Sequence, residues 1–260
     1  MSTLPVKLSV VIPAFNEEAR IASTISHLSA YLDMQDKSYE IIISDDGSND
    51  QSSLLVRQIV AENGNVRLIR EHRNQGKGAA VKRGIMAARG EMIIFMDADL
   101  SYPVETISLC IDALQNYDIA IGSRNLPGSE IKIRPSLLRQ LTGPLFKAAV
   151  SKLVISGYSD TQCGFKGFRA GAAVKIFSNC SINGFAFDVE VLALARMFGY
   201  SVTEVPVSLI LDSSDSKINL TTDPLKMFSE LMQVRRKMKM ISRPDNEPLR
   251  FSEKQYEMKS

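Results

Sequence analysis

Along the first half of the chain, short apolar runs alternate with segments whose apolar residues recur every three or four positions. Leu8-Ser9-Val10-Val11-Ile12 reads as a strand stopped by Pro13, and Ile21, Ile25, Leu28 and Leu32 follow at helical spacing. Tyr39-Glu40-Ile41-Ile42-Ile43-Ser44 is a second strand. Leu55 and Ile59 mark a helix up to the turn Asn63-Gly64-Asn65, and Val66 to Ile69 is a short third strand. A helix over residues 77–89 puts Ala80, Gly84 and Ala87 on one side, small enough to approach a sheet closely. Met92 to Met96 is wholly apolar and bounded by Gly90 and by acids, the pattern of a strand buried on both faces. A helix over 104–116 and the strand Ile119-Ala120-Ile121 extend an alternation that predicts a parallel sheet with helices on both faces.

The alternation fails after Arg124. Residues 125–156 read as helical and basic, Phe165 to Phe168 as an added strand, and Asp188 to Phe198 as an apolar helix closed by Gly199. Val202 to Leu211 is strand-like, and Pro206 within it suits an edge. Pro224 to Met240 is a last helix, and the polar residues beyond it have the composition of a disordered tail. The expected organisation is a tail over 1–6, one α/β domain over 7–220 that includes a basic amphipathic region at 130–156, a helix over 221–241, and a tail over 242–260.

The chain has 260 residues, 45% hydrophobic and 23% charged, which suits one large globular domain. A net charge of +2 gives no ground for a nucleic-acid partner, so any basic surface is local. Cys110, Cys163 and Cys180 are odd in number and far apart, neither a disulfide framework nor zinc spacing; buried thiols in a reducing compartment are expected. Met1 to Lys7 lacks a signal-peptide pattern, and no apolar run approaches the roughly eighteen residues a bilayer crossing needs. The expectation is a cytoplasmic protein without a transmembrane helix. His27 falls in the polar register of the first helix and should be exposed.

Three strands end in polar clusters: Pro13-Ala14-Phe15-Asn16-Glu17-Glu18, Asp45-Asp46-Gly47-Ser48 and Asp97-Ala98-Asp99. The carboxyl ends of strands are where open α/β sheets bind ligands. Asp97 and Asp99 repel each other unless something positive sits between them, and oxygen ligands favour a hard cation such as Mg²⁺ or Mn²⁺ that also holds substrate phosphates. One acidic strand end can be a helix cap, as Asp50 is expected to be; three in half a chain point to a shared site. No Gly-x-Gly-x-x-Gly turn follows the first strand, which disfavours a dinucleotide-binding dehydrogenase.

As an ordered set, these motifs resemble the family 2 glycosyltransferases over about residues 8–220. That resemblance implies a GT-A nucleotide-diphospho-sugar transferase fold, a mostly parallel Rossmann-like sheet flanked by helices that binds its donor at the sheet edge. Carried over, it implies that Pro13, Ala14, Asn16 and Glu17 line the nucleoside pocket, with Asp45 or Asp46 reading base or ribose. Asp97 would face the ribose and, with Asp99 and more weakly Ser101, the metal. Gln75-Gly76-Lys77-Gly78 resembles a family loop near the nucleotide and equally reads as a glycine-rich helix start.

Gly122-Ser123-Arg124, the string Asp160-Thr161-Gln162-Cys163-Gly164-Phe165-Lys166, the stretch Gly184 to Glu190 and Glu204-Val205-Pro206-Val207 are similar to polyprenyl-phosphate (dolichyl or undecaprenyl) hexosyltransferases. The Asp160 string looks more like the glucosyl branch, implying UDP-glucose. The late Arg-x-x-Gly-x-Ser-Lys pattern of several members survives only as Ser216-Lys217, with Leu211 and Ser214 where Arg and Gly would stand. A lipid monophosphate, with a second pKa of about 6, is already an anionic nucleophile and needs cations rather than a base. Arg124, Arg134, Arg139 and Lys217 are the candidates for that cradle. A sugar-hydroxyl acceptor would instead need a general base, for which Asp160 and Asp188 are available. A GDP-mannose donor and a non-catalytic nucleotide-sugar binding subunit stay open. Apolar and basic residues interleave over 131–153 and 225–240, as in helices that lie on a membrane surface, on a membrane-anchored partner, or on a core with a solvated face.

Overall fold

The computed structural model describes residues 5–35, 37–129, 137–209 and 223–241, the side chains of 137–142, 145 and 223–225 excepted. Arg134 and Lys217 therefore lie outside the described residues, as does the Leu211 to Lys217 departure, and only the backbone of Arg139 lies within them.

The first half alternates as its periodicity predicts: β1 (Leu8–Ala14), α1 (Ile21–Asp33), β2 (Tyr39–Asp45), α2 (Ser52–Glu62), β3 (Val66–Arg70), α3 (Lys77–Ala87), β4 (Met92–Met96), α4 (Thr106–Ala113) and β5 (Ile119–Ser123). Then follow α5 (Leu137–Leu153), β6 (Phe165–Arg169), α6 (Ala170–Ser178), α7 (Phe187–Met197), β7 (Val202–Pro206) and α8 (Asp223–Ile241). Among the described residues the strands form one sheet ordered β3-β2-β1-β4-β6-β5-β7. β6 runs antiparallel to both β4 and β5, so the sheet is mixed rather than wholly parallel. Pro206 sits on edge strand β7, where its missing N–H is tolerated.

Two expectations need correction. Pro13 does not stop β1, which continues to Ala14 in register with β2; pairing with β4 has already ended at Val11, so by Pro13 the strand is laddered on one side only. Helix α6 escaped the periodicity reading, although Ala172, Ala173, Ile176 and Phe177 bury one face of it.

Side chains alternate across the sheet into two cores. Val10, Ile12, Ile94 and Met96 face α1, α2 and α4, where Ile21, Ile25, Leu28, Leu32 and Ile107 are buried. Val11, Ile93, Phe95 and Phe168 face α3, α6 and α7, and Leu231 and Val234 of α8 are buried in that same layer. Helix α8 is thus part of the domain body, packed on the core with a solvated face. The small side of α3 does what its composition predicts: a Cβ on Gly84 would run into Val11 of β1. No helix among the described residues is long and apolar enough to cross a membrane. All three cysteines are buried free thiols, and burial pushes Cys163 up to about 11, which leaves it inert. His27 is exposed.

Candidate active site

The acid-bearing strand ends lie side by side, since β2, β1 and β4 are neighbours in the sheet. Their carboxylates nevertheless do separate work. Asp45 is buried; its Oδ1 accepts from the Ser48 amide at 2.9 Å and hydroxyl at 2.6 Å, while Oδ2 takes the Ser53 hydroxyl and lies 3.3 Å from Arg70 Nε. Asp46, also buried, accepts the amides of Gln75 (3.0 Å) and Gly76 (2.7 Å) on Oδ2 and Arg83 Nη2 (3.0 Å) on Oδ1. It therefore pins the turn that launches α3. The turn after β1 is tied to the turn after β2: the Asn16 amide donates to Ser48 Oγ (2.9 Å), Asn16 Oδ1 accepts from the Asn49 amide (2.8 Å), and the Glu17 amide donates to Ser52 Oγ (2.7 Å). Asn16 holds φ +53°, a left-handed conformation that Asn tolerates better than most residues. Pro13, half-buried, and Ala14, buried, are the last two residues of β1.

A second group gathers at the end of β4. Lys77, the first residue of α3, places its ammonium 2.6 Å from Asp97 Oδ1. Asp99 Oδ1 accepts the Ser101 amide at 3.0 Å, with Leu100 between them strained to φ +51°. The carboxylate of Asp97 lies against Gly164, where a Cβ would collide with it, and the Asp97 amide donates to the Gly164 carbonyl at 3.2 Å. Two residues on, Lys166 is wholly buried; its ammonium donates to the Cys163 carbonyl (2.6 Å) and to Asp188 Oδ1 (2.6 Å) at the start of α7. Burial raises the Asp188 carboxyl above the usual range, against the opposing pull of Lys166 and Lys77. At the end of β5, Arg124 grips Asp160 through Nε (2.6 Å) and Nη2 (2.9 Å), and Glu204 of β7 receives the amides of Ser159 (3.0 Å) and Asp160 (3.2 Å).

No three His, Cys, Asp or Glu side chains among the described residues converge as a metal cage. The donor set still fits a hard cation that takes its remaining ligands from phosphate: Asp97 and Asp99 offer oxygen only, and the Lys77 ammonium on Asp97 shows that this carboxylate presents itself to positive charge.

The family model "Glycosyl transferase family 2" matches residues 9–177. The chain belongs to that family. This family 2 glycosyltransferase is 34% identical over 241 residues to a "Dolichyl-phosphate beta-glucosyltransferase" of Dictyostelium discoideum, covering 88% of this chain and 73% of that protein. A Homo sapiens protein of the same name is 35% identical over 243 residues, with 88% and 75% coverage. Among solved structures, glucosyl-3-phosphoglycerate synthase from Mycobacterium tuberculosis in complex with UDP shares the fold, with a TM-score of 0.67 at 18% identity, covering 89% of this chain and 80% of that one. The fold of this family 2 enzyme is accordingly GT-A.

The sequence motifs include Lys166, Glu190 and Glu204 of this glycosyltransferase but assign them no role, and Glu230 lies outside those motifs. A lysine between Phe165 and Phe168 in a buried strand, and a glutamate among Val189, Val191 and Leu192, were signals that pairing partners must be found. The Glu190 carboxylate accepts the Ser181 and Ile182 amides (2.9 and 2.8 Å) and Lys237 Nζ of α8 (2.6 Å). Glu230 of α8 lies over Gly184 and accepts the Ala186 amide at 3.2 Å.

One pH prediction follows from the Arg124–Asp160 pair. Burial pushes the Asp160 carboxyl up, but the guanidinium bonds outweigh it and hold the group below its ordinary value. A depressed carboxyl stabilises the fold above its unfolded pKa of about 3.9, and that contribution fades as pH falls through the lower folded value. Urea unfolding of wild type and Arg124→Met should therefore differ most near neutrality, and the gap should shrink as pH falls below the unfolded value of about 3.9; a gap that is independent of pH would contradict the pairing.

Proposed function

We propose that the protein transfers glucose from UDP-glucose to dolichyl phosphate, inverting the anomeric carbon, with Mg²⁺ or Mn²⁺ assisting the leaving group. The observation that carries this reading is the sustained similarity to curated dolichyl-phosphate beta-glucosyltransferases, 33–35% identity over 88% of the chain. The Asp160 to Lys166 string and the departure at Leu211 and Ser214 agree with the glucosyl branch.

In this reading an oxygen of the acceptor phosphate forms a bond to C1 of the sugar while the C1–O bond to the diphosphate breaks, its electron pair leaving with UDP. No proton need be removed, because the acceptor is anionic at neutral pH. Arg124 meets the acceptor phosphate, its guanidinium oriented by Asp160, with Arg134, Arg139 and Lys217 as further cations. Pro13, Ala14, Asn16 and Glu17 receive the nucleoside, and Asp45 and Asp46 hold the two turns that shape its pocket. Asp97 and Asp99 hold the divalent ion, with Ser101 beside them; when bound, that ion neutralises charge developing on the diphosphate. Lys77 adds a second positive charge at the same place. Because Asp160 is already committed to Arg124, it is a poor candidate for the base that a hydroxyl acceptor would require.

Dolichyl phosphate lies in a bilayer, so the working enzyme sits on the cytoplasmic face of a membrane or beside a membrane-anchored partner. Exposed Phe228 and Met240, on the same helix as Lys226, Arg236 and Lys239, supply apolar and basic groups for such contact.

The test offers the purified protein labelled UDP-glucose or GDP-mannose with Mn²⁺ and a short dolichyl phosphate, then partitions the product. Label from UDP-glucose in the organic phase is expected. Transfer from GDP-mannose alone overturns the donor, and a water-soluble product overturns the lipid acceptor.

A further inference from the structure

Five charges meet beneath the β4 end: the carboxylates of Asp97, Asp99 and Asp188 and the ammonium groups of Lys77 and Lys166. Lys166 is committed, enclosed between Asp188 and the Cys163 carbonyl with no exposure. Lys77 is the adjustable member. Its side chain is 24% exposed and its ammonium rests on Asp97 Oδ1. Burial works against that charge, yet the fields of Asp97, Asp188 and Asp99 outweigh it and keep the group protonated more firmly than an ordinary lysine. The backbone around it is fixed on both sides: the Gly76 amide is held by Asp46, and the Gly78 and Ala79 amides donate to the Asn183 carbonyl at 2.8 and 3.3 Å. Only the flexible stem of Lys77 is left to move.

We propose that Lys77 competes with the divalent cation for Asp97, so that the cation enters tightly only together with a diphosphate that takes over the ammonium. The inference rests on the metal-assisted reading above and adds a rule of order to it. A dication arriving alone on Asp97 meets an ammonium already bonded there, and two positive groups in a partly enclosed cleft repel. A diphosphate supplies the anion that Lys77 loses, converting that repulsion into two satisfied pairs. Metal and nucleotide then bind cooperatively, and the coupling is reciprocal by thermodynamic necessity. The design would keep the cleft from filling with metal in the absence of donor.

Free Mn²⁺ measured by electron paramagnetic resonance tests this directly, independently of turnover, in wild type, Lys77→Met and Lys77→Arg, with and without UDP. Without UDP, Lys77→Met should bind Mn²⁺ about tenfold more tightly than wild type, within the usual range of such couplings. UDP should then improve its Mn²⁺ affinity far less than it improves that of wild type, and Lys77→Arg should keep the wild-type coupling. A Lys77→Met protein with unchanged or weaker Mn²⁺ affinity in the absence of UDP overturns the competition. Failure of wild type to bind Mn²⁺ even with UDP is a different result, which overturns the metal reading and takes this inference with it. Thermal unfolding confirms that the variants are folded, and Lys77→Gln replaces Lys77→Met if the latter is not.

Discussion

Asp99→Asn should lower kcat/KM for glucose transfer roughly a thousandfold while leaving the fold intact. A divalent ion on a leaving diphosphate contributes several kcal/mol of charge stabilisation, and each ~1.4 kcal/mol is a factor of ten in rate. The substitution is gentle elsewhere. Asp99 is half-buried and accepts the Ser101 amide through Oδ1, a bond that an asparagine oxygen can keep. What disappears is the second negative charge, without which, in the proposed metal-assisted reading, Asp97, already drawn to Lys77, would be a weak solitary ligand. Steady-state kinetics with labelled UDP-glucose, together with a thermal melt, separate lost chemistry from lost structure. If the biological role of the protein survived Asp99→Asn while Mn²⁺-dependent UDP binding vanished, the protein would be acting as an assembly subunit rather than as a catalyst.

Lys166→Met should cost about 3–5 kcal/mol of stability, the usual penalty for stranding one member of a buried ion pair. Against a total of about 5–15 kcal/mol for an ordinary domain, that is a large share. Lys166 has no exposure, and Asp188 is 5% exposed, so no water replaces the lost ammonium. The Phe95 ring, 5.5 Å from the Lys166 nitrogen, makes the surroundings still less hospitable to a lone carboxylate. Urea unfolding at pH 7 measures the loss. The double variant Lys166→Met/Asp188→Leu should recover most of it, since replacing a whole buried pair by apolar groups is commonly neutral or better. A single variant as stable as wild type would mean that Asp188 does not depend on this partner.

The sequence disclosed the strand ends well, because an apolar run broken by an acid records both the burial of a strand and the point where it meets solvent. Met92 to Asp99 is the clearest case, and β4 ends where that break falls. The partners of those acids were far less visible. Lys77 lies twenty residues before Asp97, and Asp46 is satisfied by Gln75, Gly76 and Arg83 from a different turn and helix. Nothing local in Asp45-Asp46 says that both carboxylates are bonded within the scaffold, which is why a direct part for one of them in reading base or ribose was the natural expectation, whereas their hydrogen bonds form a network separate from the Asp97–Lys77 pair. The reversed direction of β6 was equally hidden, since period-2 patterning fixes which face a residue takes but not which way the strand runs. Helix α6 was missed because it begins directly after β6 with no intervening turn residue to announce it.

The grip of α8 on the loop before α7 has a practical corollary. Glu230 and Lys237 hold the stretch from Ser181 to Ala186, and Asn183 within it in turn receives the amide next to Lys77. Damage to α8 would thus surface as slack in the proposed donor site. A truncated or frayed variant would lose sugar transfer even toward a detergent-dissolved acceptor, a phenotype easily mistaken for failed delivery to the lipid.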